Sequence, residues 1–124
     1  MCAAAKAEVQ RAPRIGVDPA RIAFHGIDFS ASEAHLVSAG VEISMKLDSI
    51  INISVSGIKV VAGDMAQPPK SGDSVVMSIK GRERAWNVKG RVAWVDPLVG
   101  GQWWLGIEFV FSADALNLHK VFSD

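Results

Sequence analysis

Two short stretches carry the side chains best suited to chemistry. Gln10-Arg11-Ala12-Pro13-Arg14 sets two guanidinium groups close together, with Pro13 limiting the chain between them. A guanidinium is a planar fork of N–H donors. It matches phosphate oxygens and the O6/N7 edge of guanine, and it also stacks on a base. The second stretch, Asn52-Ile53-Ser54-Val55-Ser56-Gly57, puts short polar side chains at the end of an apolar run closed by a glycine. On a strand, Asn52 and Ser54 share one face. Each stretch alone also has a plain meaning: a solvated arginine tail in the first case, a strand-to-turn transition in the second. What both offer is recognition of an anion or a base edge, not the making or breaking of bonds.

Bond-making chemistry has little support elsewhere. His25, His35 and His119 have no ligand-like spacing to one another or to Cys2, so they read as ordinary polar or helix-end residues. The chain has no nucleophile elbow, phosphate loop or dinucleotide fingerprint, and its carboxylates are scattered rather than paired. No enzyme is expected, and no metal or cofactor.

Charge narrows the partners. With 13 basic and 13 acidic residues in 124, the formal net charge is zero. A binder of long polynucleotides normally carries a basic excess, so DNA and RNA are disfavoured. A small anion needing two or three arginines is compatible with a neutral total. A single cysteine, Cys2, excludes an internal disulfide and fits a reducing compartment. No apolar run approaches the roughly 18 residues of a membrane span, so membrane insertion is not expected.

The elements that must hold these side chains are strands. Period-two alternation puts Val75, Met77 and Ile79 on one face of residues 74–79. It puts Trp86, Val88, Val92 and Trp94 inward along 85–95, and Leu105, Ile107, Phe109 and Phe111 inward along 104–111. Trp103 and Trp104, being adjacent, must face opposite ways. Val41, Ile43, Met45 and Leu47 align along 41–47, and two β-branched runs, 50–55 and 58–61, flank Ser56-Gly57, which reads as a turn or bulge where glycine takes positive φ. Lys80-Gly81-Arg82-Glu83 reads as a hairpin connection, Gly100-Gly101 sits in a longer one, and residues 64–73 read as a loop. Six or seven short strands in one core-sized chain give an all-β fold, an antiparallel barrel or sandwich. A short C-terminal helix capped by Ser112 would bury Ala115, Leu118 and Phe122 over an open end. Residues 25–39 admit a short capped helix or a loop equally. The expected organisation is a flexible tail over residues 1–9 and a single domain over 10–124.

Taken in order, the arginine stretch, Asn52-x-Ser54-x-x-Gly57, Lys89-Gly90-Arg91-Val92-Ala93-Trp94-Val95 and Leu105-Gly106-Ile107-Glu108-Phe109 resemble the PilZ domain over about residues 10–111. That family carries Arg-x-x-x-Arg in an N-terminal loop and Asp/Asn-x-Ser-x-x-Gly on an early strand. The resemblance implies a six-stranded antiparallel barrel acting as a cytoplasmic receptor for cyclic di-GMP. Such receptors alter bacterial motility or exopolysaccharide synthesis through a protein partner, which the sequence does not identify. Carried onto this chain, the ligand-binding set is Gln10, Arg11, Arg14, Asn52, Ser54 and Gly57. Gln10 stands where the family has its first arginine, and Asn52 where aspartate is commoner. Gln10 also keeps a rival in view, a degenerate PilZ-like interaction module that does not bind the nucleotide.

Overall fold

The computed structural model describes residues 14–38, 40–63, 69–110 and 112–123. Seven strands run in chain order: β1 (Ile15–Gly16), β2 (Asp28–Ser38), β3 (Val41–Ile53), β4 (Gly57–Gly63), β5 (Ser74–Lys80), β6 (Ala85–Pro97) and β7 (Trp103–Phe109). Two helices accompany them, α1 (Pro19–His25) and α2 (Ala113–Ser123). The sheet order is β1-β3-β2-β5-β6-β7-β4, and a further β3–β4 pairing closes β2 to β7 into a six-stranded antiparallel barrel. β1 lies outside the ring and pairs only with the end of β3, setting Ile15 opposite Ile53 and Gly16 opposite Asn52.

Closing six strands requires local curvature, and register shifts provide it. The β3–β4 ladder shifts twice, between Leu47 and Ser49 and between Ile50 and Asn52. The two apolar runs read separately in the sequence therefore meet differently: β3 is continuous to Ile53, and the break before β4 falls at residues 54–56. Inward-facing Leu36, Leu47, Ile53, Ile58, Met77, Ile79, Trp86, Leu105 and Ile107 fill the barrel. Val41, expected inside at the start of β3, is 54% exposed because the strand enters the barrel only beyond it.

The expected C-terminal helix is present. Ser112 Oγ accepts the Ala115 N–H at 3.1 Å, and Ala115, Leu118, Val121 and Phe122 are buried. Residues 28–38 form a strand rather than a loop or helix. Their inward positions are small or mixed (Ser32, Ala34, Leu36), which weakens the apolar alternation. The first helix precedes them. Asp18 caps it by accepting the Ala20 N–H, Pro19 opens it, and Gly26 ends it in the left-handed region.

Trp94 corrects the expected face pattern of β6. Between Val92 and Trp94 the pairing with β7 shifts by one residue, so Val92 stays buried while Trp94 turns to the outer surface and Val95 turns toward the core. Trp103 packs against the core and Trp104 faces outward, as adjacent strand residues must. No helix among the described residues is long and apolar enough to cross a membrane.

Candidate ligand-binding site

The two motif stretches meet because of β1. Its two residues add to the β3 edge, and the Val17 N–H donates to the Ile51 carbonyl just beyond them. Arg14 is thereby laid beside Asn52, and its Nη1 donates to Asn52 Oδ1 at 3.0 Å. Arg14 is exposed and Asn52 half-buried, so both remain within reach of a ligand.

Ser54 plays a different part. β3 ends at Ile53, and Ser54 is buried rather than sharing the outer face with Asn52. Its Oγ accepts the N–H groups of Ser56 and Gly57, each at 3.2 Å, and its own N–H donates to the Gly57 carbonyl at 2.8 Å. The side chain thus builds the turn that presents Gly57. Gly57 is needed for close approach and not for positive φ: a Cβ there would lie 2.6 Å from the Ile107 carbonyl oxygen and 3.4 Å from Arg14 Nη2. Gln10 and Arg11 lie outside the described residues.

Around this meeting point a narrow notch of about 80 Å³ is lined by Arg14, Gly57, Trp94, Gly106 and Glu108, among others. Trp94 lies flat on β7 because Gly106 offers no side chain; a Cβ at Gly106 would collide with the indole. Lys59, opposite both Asn52 and Gly106, holds its Nζ 4.3 Å from the Trp104 ring centroid and 5.5 Å from that of Trp94. These are cation–π distances. Asn52, Lys59, Trp94 and Glu108 therefore form one outer surface across β3, β4, β6 and β7. Sequence reasoning did not place Trp94, Lys59 and Glu108 on the surface that Arg14 and Asn52 share. The available signal was Gly106, a small residue in an otherwise bulky strand that marks where something lies against it.

Roomier grooves lie elsewhere, and several of their polar groups have structural duties. A groove of about 520 Å³ runs over residues 30–33 and 44–46. There Ser30 Oγ donates to Asp28 Oδ1 at 2.6 Å, and Ser32 Oγ donates to the Asp28 carbonyl at 2.8 Å while accepting the Lys80 N–H at 3.0 Å. These bonds hold the irregular start of β2. A groove of about 400 Å³ lies beside Phe24, Arg82 and Trp86. Its Arg82 guanidinium donates to the Phe24 and Ala23 carbonyls at 3.1 and 3.2 Å, satisfying the C-terminal end of α1. Among the described residues, no group of three His, Cys, Asp or Glu side chains is placed to hold a metal ion.

The described residues thus form a closed barrel with Arg14 and a tight Ser-x-x-Gly turn brought together at its outer face. The family comparison agrees: the PilZ domain model matches residues 11–121, nearly the whole chain, and the chain belongs to the PilZ family. PilZ domains are binding domains rather than catalysts, and their general ligand is cyclic di-GMP. None of the curated proteins compared with the chain matches it.

Proposed function

We propose that this protein is a cyclic di-GMP receptor without catalytic activity. The single observation that carries the reading is the Arg14–Asn52 hydrogen bond beside Gly57, which joins residues 38 positions apart that both belong to the family's ligand motifs. Arg14 and Arg11 hold phosphates and guanine edges, with Gln10 adding a neutral donor. Asn52 orients Arg14, and Ser54 keeps the turn at Gly57 in place. Trp94 supplies a flat surface for a base. The notch is too small to enclose a dinucleotide, since about 30 Å³ is one water's share of liquid volume. The ligand lies over it, and its binding changes the surface offered to a protein partner in the cytoplasm, with motility or exopolysaccharide synthesis as the regulated output.

One sequence observation favours a second reading. Gln10 brings no charge where the family has an arginine, which suits a degenerate interaction module that has lost the nucleotide. An amide-resolved NMR titration with cyclic di-GMP separates the two. The receptor reading expects saturable shifts at Arg14, Asn52, Gly57 and the Trp94 indole N–H. The module reading expects none at millimolar nucleotide.

A further inference from the structure

We infer that Glu108 reads the Watson–Crick edge of a guanine and makes the site selective for guanine over adenine; the inference rests on the cyclic di-GMP reading above. Glu108 lines the same notch as Arg14, Gly57 and Trp94. It stands opposite Gly57 on β4 and Arg91 on β6, and it is exposed. Two residues along β7 is Gly106, the seat of the Trp94 indole, so Glu108 stands about 7 Å from that seat on the same face. Among the described residues, its carboxylate makes no hydrogen bond or ion pair, including with Arg91 across the ladder.

An unpartnered carboxylate is out of place in a site for a ligand with two phosphates, because like charges at close range repel. It is in place only where the ligand turns donors toward it. Guanine does so, since its N1–H and N2–H are parallel donors matched to the two oxygens of a carboxylate. The same base turns O6 and N7 toward a guanidinium, which Arg14 provides across the notch. Adenine presents an unprotonated N1 at the corresponding place, and a carboxylate repels it. Asn52 is not free for this task in the same way, because its amide oxygen already accepts from Arg14. Glu108 therefore supplies the carboxylate that the Asn-x-Ser-x-x-Gly motif lacks at Asn52.

The test compares binding of cyclic di-GMP, its inosine analogue (which lacks the N2 amine) and cyclic di-AMP to the full chain, with Glu108→Gln and Glu108→Asp beside the wild type. The wild type is expected to prefer cyclic di-GMP to both analogues. Glu108→Gln, of equal size, is expected to lose roughly tenfold or more in cyclic di-GMP affinity, as when a charged hydrogen-bond partner becomes neutral. Its preference over the inosine analogue should shrink to a few-fold, with an unchanged melting temperature. Glu108→Asp is expected to bind more weakly than wild type but keep the preference. Tighter binding by Glu108→Gln would mean that the carboxylate only repels phosphate and would overturn the inference, as would unchanged discrimination. Both results leave the receptor reading standing. A wild type that binds none of the three nucleotides removes the receptor reading and this inference together.

Discussion

Arg14 and Asn52, 38 positions apart in the chain, are joined side chain to side chain at 3.0 Å, and the bond depends on a two-residue strand. Pairing Gly16 with Asn52 fixes the backbone, leaving the guanidinium little freedom over where it points. A free arginine loses about 2 kcal/mol of rotamer freedom when it is ordered. Part of that ordering is complete here before any ligand arrives.

Arg14→Ala should therefore weaken cyclic di-GMP binding by about 1.5–3 kcal/mol, the range for a hydrogen bond to a charged group. Asn52→Ala removes orientation rather than charge, and about 0.5–1.5 kcal/mol is expected. Isothermal titration of both variants checks the order. Melting temperatures should stay close to wild type, because Arg14 is exposed.

Gly57→Ala is expected to destabilise the fold as well as the site. The added methyl meets a backbone oxygen, that of Ile107 at 2.6 Å, which cannot move without disturbing the β4–β7 ladder. A cost of about 1–3 kcal/mol follows from forced overpacking, readable as a lower denaturant midpoint.

The tryptophans divide by face. Trp86 is 2% exposed inside the barrel, so Trp86→Ala should cost about 3–5 kcal/mol of stability. Trp94 lies on the outer surface, so Trp94→Ala should cost only about 1 kcal/mol, largely its packing and its cation–π contact with Lys59. Its effect should appear instead in ligand binding, at about 1–3 kcal/mol for a lost base-stacking surface. Equilibrium unfolding and titration on the same two variants separate the roles.

Asp28 gives the pH prediction. The Ser30 hydroxyl and then the Ser30 N–H donate to its carboxylate and hold its pKa below the ordinary value. A carboxyl with a lowered folded pKa stabilises the fold above its unfolded value of about 3.9, and this contribution fades as pH falls through the folded value. Asp28→Asn should therefore be less stable than wild type near neutrality, with the gap closing in acid. Unfolding curves measured from pH 7 down to pH 3 check the sign.

Much of this architecture was legible because the buried strands alternate strongly: β5, the first half of β6 and β7 follow their sequence pattern closely. Trp94 was misplaced for a specific reason. Period-two counting assumes an unbroken ladder, and the register shift after Val92 reverses the faces beyond it. β2 was obscured by serine and alanine at inward positions. α1 carried its signals openly, in Asp18-Pro19 at one end and Gly26 at the other, but has no fully buried residue to show as an apolar stripe. At the site, residue types pointed to Arg14, Asn52 and Gly57. Spacing could not show that Ser54 turns inward, or that Lys59, Trp94 and Glu108 gather beside them, because that gathering is made by four strands closing a barrel.

The measurement closest to the central claim is a calorimetric titration of the full chain with cyclic di-GMP, repeated on Gln10→Arg. The account predicts saturable binding by the wild type at micromolar or better. It predicts binding tighter by about 1–2 kcal/mol in the variant, the difference between a charged and a neutral donor after ordering costs. No heat of binding from either protein at high nucleotide concentration would contradict the receptor reading and leave the barrel as an interaction module.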